Sequence, residues 1–503
     1  MIRKIRSHKR AVAALVCLSC LVAALASAVV AGTRSRERPS TCVLEVNAPA
    51  QANVVIDGRD FGQHRRFTFR QLSPGVTYRC RVQVQFADEH EEQALDIQAG
   101  QTYRIAALEN IAAMHDVAEP ADDRSRAGRS VTAMGLDLYR QLARQPGNIV
   151  VSPLSLESIL ALTSEGARGA TLEQMAGVLH LAPGGTQHAA LAALLTELQQ
   201  IGSCPGDTQA AHGGLQLGSA LWIQTGDSLA RDFVSLARDR YGAHLEQVDF
   251  AGDAQAARQR VNRWAATLTH ERIRELIAAG SPSADTRLLL TSALYFRGDW
   301  AFLFDREETA PAAFRPADTE QISVPTMALR ARLRHCRDGK VQILELPYAD
   351  QRLAMLVVLP NEPADLSGVE SALSGRLIAK WVRRLTAADV VASIPSFQID
   401  WSGSLKNPLA EMGMPAAFGT AADFGGISRQ HDLFIGDFVH RAWIAVDEQG
   451  SQAAAAAAVT MAPKSFLGNT VEFRADHPFL FVIYDTASGG SLFVGRLADP
   501  RTG

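Results

Sequence analysis

Net charge is nearly absent from this 503-residue chain, where 50 Lys and Arg stand against 53 Asp and Glu for a formal balance of -3. Such a balance gives no electrostatic basis for gripping nucleic acid, and no nucleic-acid partner is expected. No CxxC pair and no Cys/His cluster occurs, so no metal or other cofactor is expected. A G-x-S-x-G elbow, an H-E-x-x-H pair and a glycine-rich phosphate loop are also missing, which removes the usual marks of a hydrolase despite 13 histidines. The chain is not expected to be an enzyme. No segment repeats at a fixed period.

What is present begins with Arg3, Lys4, Arg6, Lys9 and Arg10, followed by an uncharged stretch from Ala11 to Gly32 that contains Ala26-Ser27-Ala28. Residues 1–32 read as an export signal or, since the apolar length suffices to span a bilayer, an uncleaved signal anchor. Either way the remainder is expected outside the cytoplasm, secreted or periplasmic, with membrane or surface anchoring through the N-terminus as the second possibility. Cys17 and Cys20 fall inside this segment. Cys42 and Cys80 lie in two strand-like runs of one small region and are expected to pair as a disulfide in an oxidising compartment, while Cys204 and Cys336 stay unassigned.

Period-two runs fill residues 41–108: "CVLEVNA", "NVVIDG", "FTFR", "VTYRCRVQVQF" and "TYRIAAL", punctuated by Asp57-Gly58 and an "SPG" turn. They predict a small all-β sandwich, and "VVIDG…LSPG" resembles the PEGA-type surface domains of bacteria. Residues 109–128 are polar and aperiodic and read as a linker. From Arg129 to Gly503 helical and strand-like segments mix in one large α+β domain. Thr171 and Gln174 have capping-box spacing, and "DAQAARQRVNRWAATLTHERIRELI" predicts an amphipathic helix with Val261, Trp264, Ala265, Leu268 and Ile273 near one side. The runs "RLLLTSALYF", "LAMLVVLP", "PFLFVIYD" and "SLFVGRL" predict strands.

One segment resists this reading. "EQGSQAAAAAAVTMAPKSF", Glu448 to Phe466, carries six consecutive alanines, by default helix interior. Its flanks oppose a helix: Gly450 is unfavourable there, Val459 and Thr460 are β-branched, and Pro463 excludes the interior. A linker should lead to a further domain, and here the chain soon ends.

Four blocks in family order resemble the serpin family: "NIVVSPLSLESILALTSEGARGATLEQMAGVLHL", "SALYFRGDWAFLFDREETAPAAF", "FVHRAWIAVDEQGSQAAAAAA" and "FRADHPFLFVIYDTASGGSLFVGRLADP". The resemblance implies three sheets, about nine helices and an exposed reactive loop. In inhibitory members the loop is bait: a serine protease attacks it, and the freed loop enters the central sheet as a strand while the acyl-enzyme persists. Alternate residues after the acidic-x-Gly hinge of Glu448 and Gly450, namely Ser451, Ala453, Ala455, Ala457 and Val459, would face the core, and all are small and uncharged. The family usually has Thr where Ala457 stands. Counting sixteen from Glu448 places the reactive bond at Lys464-Ser465, and Lys suits the acid-bottomed pocket of a trypsin-like serine protease, the implied covalent partner. Ser152, Pro153 and Ser155 match the region under the opening sheet, His440 a buried histidine there, and Trp300 the tryptophan near the top of the slot. Ser292 stands where the family has Asn as that histidine's partner. The stretch from Gly169 to Ala230 has no Lys or Arg, so heparin is not expected to bind. A non-inhibitory serpin acting as carrier, chaperone or protease substrate is the alternative.

Overall fold

Alternating apolar residues become strands wherever a core is available to bury them. The computed structural model describes Arg3–Lys4, 41–47, 53–106 apart from 63, 65, 74, 87 and 88, 123–181, 186–201, 214–451 apart from 227, 318–319 and 430–432, and 470–502. The chain forms two units, Met1–Glu119 and Pro120–Gly503.

The first unit holds β1 (Cys42–Asn47), β2 (Asn53–Ile56), β3 (Arg66–Phe69), β4 (Thr77–Phe86), β5 (Glu89–Gln98) and β6 (Thr102–Ala106). β4 pairs with β2 and β5, and β1 sits between β3 and β6. Leu44, Val46, Val54, Ile56, Val82, Val84 and Ile97 fill one shared core. Asp57 and Gly58 both have positive φ, 50° and 81°, the turn geometry that closes a two-residue hairpin. β5, "EHEEQALDIQ", escapes the sequence reading because acidic residues mask its alternation, yet it pairs with β4 from Glu89 to Gln98. The expected disulfide is not formed: Cys42 and Cys80 are free, buried thiols. They enter the core from different sheets, and burial pushes the Cys80 thiol up to about 12.

The second unit opens with α1 (Asp123–Leu142), so the last six residues of the stretch read as linker are helical. Ala127 and Gly128 are buried, and a Cβ on Gly128 would sit 2.3 Å from the Ser488 carbonyl oxygen. Then follow β7 (Ile149–Val151), α2 (Pro153–Glu165), α3 (Gly169–Val178), α4 (Thr186–Gln199), β8 (Gly214–Gln224), α5 (Arg231–Asp239), β9 (His244–Val248), α6 (Phe250–Leu268) and β10 (Leu288–Asp299). The chain continues through β11 (Ala310–Phe314), β12 (Ile322–Asp338), β13 (Val341–Pro347), β14 (Leu353–Pro360), α7 (Leu366–Ala372), α8 (Gly375–Arg384), β15 (Thr386–Pro395), β16 (Phe397–Ser404) and α9 (Lys406–Met412). It ends with β17 (Ile435–Val446), β18 (Gly450–Ser451), β19 (Val471–Arg474), β20 (Phe479–Asp485) and β21 (Ser491–Leu497). Nine α-helices are thus present among the described residues.

Two expectations fail locally. Thr171 and Gln174 do not form a capping box, because α3 starts at Gly169 and both side chains serve tertiary contacts: Thr171 Oγ1 accepts from Asp423 N at 3.0 Å, and Gln174 Oε1 from Ala416 N at 2.9 Å. The amphipathic helix stops at Leu268, since His270 and Glu271 have positive φ; Ile273 is buried from the loop beyond it.

The central sheet runs β9-β8-β10-β17-β16. β12 is long enough to join two layers into one hydrogen-bonded path: its start pairs with β11, its middle with β15 and its end with β13. β13 then leads through β14 and the β20–β21 hairpin to β7.

Candidate functional site: a seam in the central sheet

β10 and β17 pair in parallel from Leu288/Ile435 to Tyr295/Trp443, and that pairing stops short of the end of either strand. β10 is antiparallel to β8, and β17 is antiparallel to β16. A strand entering between β10 and β17 could therefore run antiparallel to both. On one face the seam is covered by the loop after α6: Arg272 lies 5.3 Å over the Trp443 ring, which stacks on Tyr295 at 5.8 Å.

Beneath the other face lies α2. Ser152 is its N-cap, accepting from Ser155 N at 3.3 Å, and Pro153 takes the first helical turn, where a missing N–H costs nothing. Ser152, Ser155, Ser292 and His440 are all fully buried. Ser152 N–H donates to His440 Nε2 at 3.2 Å, so Nε2 is unprotonated and Nδ1–H donates to Ser292 Oγ at 3.1 Å. Ser292 Oγ in turn contacts Ser155 Oγ. Burial pushes the imidazole down to about 3, consistent with the neutral tautomer these partners require. Serine therefore fills the place of asparagine as the partner of His440. Ser292 and His440 are register partners, so their bond crosses the seam. Ser158 and Ser219 extend the network through a 3.0 Å hydroxyl contact.

At the upper end the chain leaves β17 through a tight turn. Asp447 Oδ1 accepts from Gln449 N at 2.9 Å and Gly450 N at 3.2 Å, and Asp447 N donates to Gly450 O at 2.9 Å. The buried Trp300 holds this turn twice: its Nε1 donates to Asp447 O at 3.0 Å and its backbone N to Gln449 O at 2.9 Å. It stacks on Tyr348 at 4.6 Å. Glu448 Oε1 accepts from Thr309 Oγ1 at 2.8 Å, and Arg306 lies 4.0 Å from its other oxygen. β18 then pairs antiparallel to β10, Gly450 with Asp299 and Ser451 with Gly298. Only glycine fits, because a Cβ on residue 450 would stand 2.0 Å from the Gly298 carbonyl oxygen.

Glu448, Gly450, Ser451 and Trp300 thus meet at the top of the seam, and Ser152, Pro153, Ser155, Ser292 and His440 meet along it. Ala453, Ala455, Ala457, Val459, Lys464 and Ser465 lie outside the described residues, as does Cys204. Sequence reasoning missed Asp447, Thr309 and Ser219; an aspartate directly before Glu-x-Gly is an Asx-turn pattern that could have revealed the first. Cys336 is a free buried thiol.

The site is thus a parallel strand pair with a two-residue strand seated on β10 above it. The family description "Serpin (serine protease inhibitor)" matches residues 129–500. A serpin-like protein of Thermococcus kodakarensis is 34% identical over 377 residues, 74% of this chain and 86% of the relative. The leukocyte elastase inhibitor of Xenopus tropicalis is 33% identical over 379 residues, 73% of this chain and 98% of the relative. Among solved structures, uncleaved ovalbumin matches with a TM-score of 0.66 and 26% identity, covering 74% of this chain and all of ovalbumin. Mouse protein-Z dependent protease inhibitor shares the fold, with a TM-score of 0.65 and 24% identity over 75% of this chain and 98% of its own. The chain belongs to the serpin family, and its relatives include protease inhibitors. It is not an enzyme.

Proposed function

We propose that this serpin is a suicide inhibitor of trypsin-like serine proteases, cleaved at Lys464-Ser465 and trapping the acyl-enzyme by drawing its loop into the β10/β17 seam. The observation that carries this reading is β18, already seated antiparallel on β10 at the mouth of the seam. If an inserting strand keeps that register, each step up the loop meets one step down β10. Ala453 would then oppose Phe296, Ala455 Leu294, Ala457 Ser292 and Val459 Leu290. Directly opposed residues share a face; Ser292 of this row faces α2 through Ser155, whereas Leu289, Ala293 and Tyr295 pack with Val261 and Ala265 of α6 on the other side, so the small side chains would be the ones turned towards α2. Drawing in Gly450 through Lys464 would carry an attached protease about 45 Å, at ~3.3 Å per residue. A protease so displaced loses the oxyanion-hole geometry that deacylation needs.

Export supports a target outside the cytoplasm, with the N-terminal β domain acting as a spacer or surface-docking module. No described helix is long and apolar enough to cross a membrane, and the signal or anchor segment lies almost wholly outside the described residues. Incubation with trypsin tests the inhibitor reading. An SDS-resistant adduct releasing a C-terminal fragment that begins at Ser465 supports it; nicking without an adduct favours the carrier or substrate reading instead.

A further inference from the structure

Glu157 lies on α2, 200° around the helix from Ser155, and so faces away from the seam. It is 1% exposed. Its Oε1 lies 2.6 Å from Ser130 Oγ of α1, and the same hydroxyl lies 2.7 Å from the carbonyl oxygen of Leu179, just beyond α3. Two oxygen–oxygen contacts of that length each need a hydrogen, and Ser130 has one. The backbone carbonyl has none to give. The second hydrogen must therefore sit on Glu157, giving a directional chain from Glu157 O–H to Ser130 Oγ and from Ser130 O–H to Leu179 O.

We propose that Glu157 is a buried proton-binding site: the native protein carries it as a neutral carboxylic acid, and loss of that proton loosens α2 between α1, α3 and the central sheet. This does not depend on what the reactive loop does. Among the described residues Glu157 Oε2 has no hydrogen-bond partner, so an ionised carboxylate would be buried with one hydroxyl donor for two oxygens. Ionisable groups surround α2, but none donates to Glu157 among the described residues. Tyr241, past α5, is coupled to it electrostatically. Glu165 of α2 lies 3.2 Å from Arg240 and 3.5 Å from His188 of α4. His180 after α3 and Arg140 of α1 both pair with Asp137 of α1. Arg496 of β21 pairs with Glu370 at 3.0 Å, and His440 of β17 is neutral on the seam side. β8 contains no ionisable residue, and β10 only Tyr295, Arg297 and Asp299.

Burial raises the Glu157 carboxyl from its ordinary 4.5 to about 8. The native state then holds a proton that the unfolded chain has released between those values. The stabilisation is complete below about 4.5 and is lost as pH rises through about 8. Infrared difference spectra of parent minus Glu157→Gln at pH 7 test the proposal. They should show the carbonyl stretch of a protonated carboxyl, fading as pH passes about 8, and the thermal midpoint of the parent should fall by several degrees more than that of the variant as pH rises from about 4.5 to about 8, the two slopes becoming equal above that. Ser130→Ala, which keeps the acid but removes its acceptor, should shift the band to higher frequency. That variant also decides the matter if Glu157→Gln does not fold. Absence of the band at pH 7, an unmoved band in Ser130→Ala, or equal pH slopes in parent and Glu157→Gln would overturn the assignment.

Discussion

Replacing Gly450 with alanine sets the residue against β10, the strand on which the proposed insertion would begin. The added Cβ would lie 2.0 Å from the Gly298 oxygen and 2.7 Å from the Asp299 Cα, both backbone atoms that cannot swing aside. Restoring ordinary contact at about 3.4 Å requires β18 to retreat by about 1.4 Å, enough to break its rung with β10. The uncleaved loop can shed that two-residue pairing and relax. An inserting strand cannot, because every later rung is reached through this one. Overpacking of this kind costs about 1–3 kcal/mol. At the middle of that range insertion slows about 30-fold, since each 1.36 kcal/mol is a factor of ten. Deacylation by water is unaffected and wins more often, so more serpin molecules are consumed per protease inhibited. Titration of trypsin activity against Gly450→Ala, with SDS gels resolving adduct from cleaved serpin, measures the partition directly. An unchanged stoichiometry and adduct yield would refute the role given to the β18 rung.

Lys464→Glu should abolish adduct formation with trypsin, because a carboxylate would face the acid of the specificity pocket, while the uncleaved protein keeps its thermal midpoint. Ala457→Thr should raise the heat stability of the cleaved form: insertion parts His440 from Ser292, and a hydroxyl between them replaces a bond whose loss costs about 1–3 kcal/mol per buried group. His440 stays neutral down to about 3 against an ordinary 6.5, so its contribution is complete above 6.5 and is lost as pH falls toward 3. The loss amounts to roughly 5 kcal/mol over that window, measurable as an acid-side decline in thermal stability that His440→Gln lacks. Heparin should leave the rate of protease inhibition unchanged, and a large salt-sensitive acceleration would contradict the charge reading of residues 169–230.

Much of the seam was legible because its residues announce themselves locally. Ser152-Pro153 is a helix start by cap chemistry alone, and the β10 and β20 runs are too apolar to lie anywhere but in a core. Glu448 and Gly450 could be placed as a hinge only through the family resemblance, whereas the reason for the glycine, a carbonyl 2.0 Å from its missing side chain, is a tertiary fact. Long-range partners were invisible for the same reason: nothing near Thr309 in sequence indicates Glu448, and nothing near Thr171 indicates Asp423. β5 was missed because its polar residues carry no apolar period. Cys42 and Cys80 show the opposite error, where sharing a small region was taken for bonding although both are free thiols of one core.

The turn at Asp447 is fastened by Trp300, Thr309 and its own Asx bonds, so the near end of the loop is a fixed pivot. A chain laid into a pleated sheet from a fixed pivot obeys a parity rule. Deleting two residues between the pivot and Lys464 shortens the travel by about 6.6 Å and leaves every remaining side chain on its original side. Deleting one exchanges the two sides completely, presenting to the core every residue distal to the change that had faced solvent. Loop length in this protein is therefore free to drift in pairs, and an odd change stays tolerable only in a tract where both sides are equally small. The six alanines supply the near part of such a tract, and an odd change among them would still turn Thr460 and Ala462 inward in place of Val459 and Met461.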